Sequence, residues 1–215
     1  MLIINLLQNP FAFIAFIVGL IFAITVHEYA HAWIAYRNGD PTAQMNGRLT
    51  LNPFAHLDPL GTLFLFLVGF GWGKPVPINP TFFHHKSDEL KVAIAGIAAN
   101  IILAFILGIP IRIALLAGHS IDSNIVLSFL SILVQINLIL AAFNILPIFP
   151  LDGSHFVEYF LDNYSRVKFQ QYGPFILLFL LILDRVSSFS IITAVMEPII
   201  RVLSSLVIGT YSIFL

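Results

Sequence analysis

An all-α polytopic membrane protein is the fold class this sequence predicts, with about five transmembrane helices, one re-entrant element and a possible short membrane-associated β-segment. Two observations carry the expectation. Hydrophobic residues make up 59% of the 215-residue chain and charged residues only 10%, against about 25% charged in a soluble globular domain. The hydrophobic residues also fall in runs that approach the ~20 residues a helix needs to cross the hydrocarbon core. The 21 phenylalanines suit a lipid-facing surface better than a compact aqueous core. No stretch is long and polar enough to form an appended soluble domain, so residues 1–215 read as a single intramembrane domain. A net charge of −1 gives no reason to expect nucleic acid as a partner. With no cysteine, disulfides and thiolate metal sites are excluded, and any metal must be held by His, Asp or Glu.

The elements follow in chain order. Residues 1–10 lack the basic start and small-residue cleavage site of a signal peptide, so the first apolar run, 11–36, is expected to be retained as a span. Residues 41–59 are rich in Pro, Gly and Asn and cannot form a continuous helix. Within them Arg48-Leu49-Thr50-Leu51 alternates in a strand-like way. The run 60–72 reaches only ~20 Å as a helix, too short to span comfortably. Residues 71–80 are again loop-forming. Further spans are expected at 92–116, with Pro110 a kink, at 125–146, at 175–183 and at 191–213.

Charge orients these spans. Five of the ten Lys and Arg lie between Arg37 and Lys91, and Arg166 and Lys168 lie between the third and fourth spans. Both segments can be cytoplasmic only if 60–72 enters and leaves on one side as a re-entrant element. Residues 118–124 carry no Lys or Arg, as the opposite face should.

The cytoplasmic half of the first span carries His27-Glu28-Tyr29-Ala30-His31. Two histidines four apart share one helix face, so both imidazoles can ligate one zinc ion, and the glutamate between them is placed as a general base on a metal-bound water. An intramembrane His-Glu-His cluster is costly without a functional reason. A catalytic zinc typically has three protein ligands and an open position. Asp152, His155, His56, Asp58, His84, His85, His119 and Glu158 are the candidates for the third. The third span runs out to in and ends at Asn144-Ile-Leu-Pro147-Ile-Phe-Pro150-Leu-Asp152-Gly153. The prolines break the helix there, and Gly153 permits a tight turn that could bring Asp152 back to the first span. Asp152 is equally suited to cap a following helix over 154–161.

His27-Glu28-x-x-His31 followed by Asn144-x-x-Pro147-x-x-Pro150-Leu151-Asp152-Gly153 resembles the paired signature of the site-2 protease family of intramembrane zinc metalloproteases. Gly47-Arg-Leu-Thr-Leu-Asn-Pro53, His56-Leu-Asp-Pro-Leu-Gly61 and Gly73-Lys-Pro-Val-Pro-Ile-Asn-Pro80 resemble its short prokaryotic members. The resemblance runs from about residue 20 to residue 165. It departs at Ala95-Gly96-Ile97-Ala98-Ala99-Asn100, where the family usually has proline after the glycine. It implies His27, His31 and Asp152 as Zn2+ ligands, Glu28 as the base, and Asn144 as a substrate-holding or intermediate-polarising side chain, with a helix-end hydrogen bond as the alternative. Arg48–Asn52 matches a region that can act as a membrane-associated edge strand able to pair with an unwound substrate, with a plain loop as the alternative. His56 and Asp58 are expected to be structural, His84 and His85 interfacial, His119 on the far side, and His155 at most a supporting group.

The reading is therefore an intramembrane zinc endopeptidase in the cell membrane. Its substrate would be a transmembrane segment of another protein, and its active site would lie towards the cytoplasm; the oligomeric state is open. Two rivals come from other classes. A metal transporter would distribute polar residues along facing spans, and the fourth and fifth spans carry almost none. A non-catalytic zinc-bearing scaffold would have no use for Glu28.

Overall fold

The computed structural model describes residues 9–68, 71–186 and 190–210. Helix α1, Pro10–Arg37, starts where Asn9 accepts a hydrogen bond from the Ala12 amide (3.2 Å) with proline at its first position. Its buried face is built from Ala15, Gly19, Ala23, Ala32 and Ala35 together with His27 and His31. Small residues let backbones approach closely inside a membrane, where lipid offers no hydrophobic drive to pack. Helix α1 packs on α4, Asp88–Leu116, and on α5, Ile125–Ile145, which also pack on each other. These three form the centre of the fold.

Between α1 and α4 the chain forms the short helix α2, Thr42–Met45, and helix α3, Pro59–Val68. Asp58 starts α3, accepting from the Gly61 amide at 2.7 Å. Residues 69–70 lie outside the described residues. On their far side the chain is back where it left. Leu57 and Gly73 form an antiparallel bridge, and the Lys74 amide donates to the His56 carbonyl at 2.8 Å. Both ends of the short apolar run thus lie together, the geometry expected of a re-entrant element. The strand expected at 48–51 does not form. The Leu57–Gly73 bridge is the only β-bridge among the described residues. Arg48 instead turns inward and donates to the Lys74 carbonyl (2.7 Å), and the Thr50 carbonyl bonds the His56 ring (2.8 Å).

Helix α4 continues through Pro110. After α5 come the short α6, Ser154–Phe160, then α7, Asn163–Val186, and α8, Ile191–Ile208. The fourth span is longer than its apolar centre at 175–183 suggests, because Asp162 starts the helix well upstream by accepting from the Ser165 amide at 3.1 Å. Hydrogen bonds from Ser165 hold the Asp162 carboxyl below the usual carboxylate range. The fifth span ends at Gly209, and residues 211–213 of the expected run lie outside the described residues. Among the described residues, five helices are long and apolar enough to cross a membrane: α1, α4, α5, α7 and α8.

Two apolar clusters join them. Ala104, Ile111, Val134, Leu138, Val207 and Ile208 lock α4, α5 and α8 together. Ala142, Leu146, Leu151, Leu177, Ile192 and Met196 join the end of α5 and the loop after it to α7 and α8. Large side chains such as Phe22, Ile106, Phe179 and Leu206 point outward, as lipid-facing positions should.

Candidate active site

The turn after α5 sets the geometry. Helix ends leave carbonyls without partners, and Pro147 cannot continue the helix. The chain folds back so that the Gly153 amide donates to the Asn144 carbonyl at 2.7 Å. A side chain at 153 could not fit, since a Cβ there would lie 2.2 Å from the Ile145 carbonyl oxygen. The Phe149–Pro150 peptide is cis. Leu151 is anchored in the second apolar cluster, and the next residue, Asp152, faces α1. Helix α6 begins at Ser154 with no side-chain cap, so Asp152 does not serve as its N-cap.

His27, His31 and Asp152 meet. Asp152 Oδ2 lies 3.2 Å from His27 Nε2 and 3.3 Å from His31 Nε2, and the two Nε2 atoms are 3.0 Å apart. Both imidazoles are buried and stand nearly perpendicular, at 88°. His31 Nδ1 donates to the Val92 carbonyl and His27 Nδ1 to Asn100 Oδ1, each at 2.7 Å. A backbone carbonyl only accepts, so the His31 proton sits on Nδ1 and the Nε2 lone pair faces inward. Asp152 Oδ2 is buried and has no hydrogen-bond donor.

Three acceptor atoms converging on one point, with no donor among them, are the donor set of a bound cation. Ligands on a tetrahedral zinc at 2.0–2.1 Å stand roughly 3.3 Å apart, which matches the observed triangle. Among the described residues this is the one group of three or more such side chains able to hold a metal ion. Helix α4 makes room for it. A Cβ at Gly96 would lie 2.4 Å from His31 Nε2 and 2.7 Å from His27 Cε1, so both rings rest against bare backbone.

Glu28 lies beside the cluster, its Oε2 accepting from the Val76 amide at 2.9 Å. Val76 stands between Pro75 and Pro77, which have no amide hydrogen, so it alone in that triplet can donate. The segment carrying it is pinned at Lys74 by Arg48 and at Asn79 by Asp40 Oδ2, the latter at 2.7 Å.

All four side chains line a cavity of about 1240 Å3, whose other walls include Phe16, Leu65, Leu140, Phe143, Leu177 and Leu181. Small-molecule pockets run to roughly 300–1,000 Å3, so this mostly apolar cavity has the room and chemistry for a polypeptide segment. Asn144 also lines it, while its side-chain amide donates to the Leu140 carbonyl at 3.0 Å. His155 lines it too; its backbone amide donates to the Asp152 carbonyl at 3.1 Å, and its ring Nδ1 makes no hydrogen bond. The other histidines lie elsewhere. His56 is buried in the loop, and His84, His85 and His119 are exposed, His119 beyond the far end of α4.

Sequence reading missed the supports. Asn100 was visible as a polar residue inside a span, a signal that calls for a partner. The Val76 amide had no side-chain signature. Glu158, a candidate third ligand, belongs instead to an ionic group at the cavity wall, where Arg166 bonds Glu89 (2.7 Å) and Glu158 (2.9 Å) and Gln170 bonds Glu158 (2.8 Å).

A paired-histidine and carboxylate cluster with an adjacent glutamate, set in membrane helices beside a peptide-sized cavity, defines a class of metal-dependent membrane peptidases. The chain matches the sequence profile of peptidase family M50 over residues 107–183. It is 39% identical over 202 residues to "Putative zinc metalloprotease YwhC" of Bacillus subtilis strain 168, covering 88% of this chain and 91% of that protein. It is 32% identical over 178 residues to the similarly named Rip2 of Mycolicibacterium smegmatis, covering 79% of this chain and 67% of that one. Rip2 of Mycobacterium tuberculosis strain H37Rv is 29% identical over 176 residues, with 80% and 66% covered. No solved structure gives a significant match. The chain belongs to peptidase family M50, the site-2 protease family. The expected multi-pass membrane peptidase is thereby borne out at the level of family and architecture.

Proposed function

We propose that residues 1–215 act as one intramembrane metalloprotease domain that hydrolyses peptide bonds within or near transmembrane segments, with zinc held by His27, His31 and Asp152 and Glu28 as general base. The observation that carries the reading is the triangle of acceptor atoms at 3.0–3.3 Å. When bound, zinc supplies a Lewis acid that lowers the pKa of a coordinated water to about 7 and polarises a carbonyl.

The chain's own groups do the rest. The Val76 amide holds Glu28 by Oε2, and Oε1 is left to take a proton from the attacking water. Glu28 then returns that proton to the nitrogen of the departing strand, so the carboxylate ends as it began. The apolar cavity walls accept the flanks of a membrane segment, which must unwind locally because helical hydrogen bonds shield the scissile carbonyl. Asn144 lines the same cavity, a position suited to contacting the substrate backbone once its bond to Leu140 is released. The cluster lies near the end of α1 and the start of α4, the side where Arg37, Arg48, Lys74 and Lys91 gather. That supports a cytoplasm-facing active site.

The substitution Glu28→Gln tests the assignment. Purified protein should retain one zinc per chain and lose about 10^2- to 10^4-fold in cleavage of a membrane-protein substrate. Cleavage at the parent rate with zinc retained would remove Glu28 from the mechanism.

A further inference from the structure

We propose that Asn100, held in turn by Asn137, is the positioning residue that fixes His27 as a metal ligand. The inference rests on the zinc reading above and goes beyond it, to residues that touch neither metal nor substrate. Asn100 and Asn137 are both completely buried, on α4 and α5 within the membrane span. Two buried amides between apolar helices are costly unless every hydrogen bond is made.

They are made in one order only. The Asn137 side-chain amide donates to the Leu133 carbonyl at 2.9 Å, so its Oδ1 faces α4. Asn100 Nδ2 donates both to that oxygen (2.9 Å) and to the Ala23 carbonyl of α1 (3.1 Å). Two backbone carbonyls therefore fix the orientation of both amides, because neither carbonyl can donate. Asn100 Oδ1 is left facing His27 Nδ1, at 2.7 Å. An oxygen there requires the proton on Nδ1 and turns the Nε2 lone pair toward Asp152 and His31.

Packing alone does not account for this. Leucine has the same branched heavy-atom skeleton as asparagine and is the ordinary occupant of such an apolar position, where it would make none of the three polar contacts of Asn100. Helix α4 also repeats the device on the same face at four-residue spacing. The Val92 carbonyl orients His31, Gly96 clears space for both rings, and Asn100 orients His27. Partners of this kind typically change metal affinity by about 10- to 100-fold when removed.

The test uses the full chain purified in detergent and stripped of metal. Zn2+ affinity is read by chelator competition, the ligand field by the visible spectrum of the Co2+ form, and stability by the melting temperature of the metal-free protein. Asn100→Leu should bind Zn2+ about 10- to 100-fold more weakly and shift the Co2+ bands. Asn100→Asp keeps an acceptor at His27 Nδ1 and should restore affinity and spectrum to near the parent, even where the metal-free melting temperature falls. Asn137→Ala, which removes one of the two bonds that orient the Asn100 amide while touching no ligand, should weaken Zn2+ several-fold and serves if Asn100→Leu does not fold.

Parent-like Zn2+ affinity and Co2+ spectrum in Asn100→Leu, or in Asn137→Ala where that variant is the one measured, would overturn the proposal. So would equal weakening in Asn100→Asp and Asn100→Leu, since only a packing role treats them alike. Failure of the underlying zinc reading looks different: a His27→Ala, His31→Ala double variant would then bind Zn2+ as the parent does.

Discussion

Gly96 is the most exposing place to perturb the site, because two opposing effects act there with known sizes. In a helix interior alanine is favoured over glycine by about 0.8–1.0 kcal/mol, so propensity alone predicts that Gly96→Ala stabilises α4. Sterics predict the reverse for the site. The new Cβ would lie 2.4 Å from His31 Nε2, 2.5 Å from His31 Cε1 and 2.7 Å from His27 Cε1. Reaching the 3.0 Å below which real Cβ atoms essentially never approach requires His31 Nε2 to retreat by about 0.6 Å, three times the roughly 0.2 Å tolerance on a metal–ligand distance. Neither ring can retreat freely, since each is tied through Nδ1 by a 2.7 Å hydrogen bond.

Gly96→Ala should therefore weaken Zn2+ by at least about 100-fold, close to 2.8 kcal/mol at 1.4 kcal/mol per decade, and abolish cleavage in a folded protein. The assay is chelator-competition titration in detergent, with Gly19→Ala as control. A Cβ at Gly19 meets the Ile136 and Leu133 terminal methyls at 2.7 and 3.3 Å, and these can rotate away. Zinc affinity within about threefold of the parent in Gly96→Ala would refute the picture of two pinned imidazoles packed on bare backbone.

Three further outcomes follow from the same structure. Arg166→Leu leaves Glu158, which is 1% exposed, with Gln170 but without its cationic partner, and removes a partner from Glu89. It should cost about 2–3 kcal/mol in thermal or denaturant unfolding, below the 3–5 kcal/mol of a fully buried pair because Arg166 keeps 28% exposure; adding Glu158→Gln should recover part of the loss. Stripping the protein with a chelator should lower its melting temperature, and Zn2+ but not Mg2+ should restore it, since Mg2+ prefers all-oxygen octahedral sites; saturation at 1,000 times Kd corresponds to about 4.1 kcal/mol. Asp58→Ala removes the bond to the Gly61 amide at the start of α3 and should cost about 1 kcal/mol while leaving zinc content unchanged.

The parts of the site that could be read from sequence are those whose relation is local. His27 and His31 lie one helical turn apart, so their shared face follows from periodicity. Asp152 could be nominated from the prolines before it, but whether it capped a helix or faced α1 depended on where the Gly153 amide found its partner, the Asn144 carbonyl. Asn100 acts on a residue 73 positions away, and no local pattern encodes that pairing. The fourth span was underestimated because Asn163, Arg166, Lys168 and Gln170 precede its apolar centre, and hydropathy does not register a polar turn held by ion pairs. The alternation at Arg48–Leu51 misled for a related reason. A strand needs a partner edge, and Arg48 instead spends its guanidinium on the Lys74 carbonyl.

The separation of His31 from Asp152 along the chain also bears on how such a protein is made. Helix α1, with two histidines and a glutamate, is synthesised before α4 and α5. With Asp152 as the third ligand, that helix has only two donors until α4 and α5 have been inserted and the chain has turned back at Gly153. On the proposed assignment, a hydrolytic centre divided in this way would be complete only once the central helices had assembled.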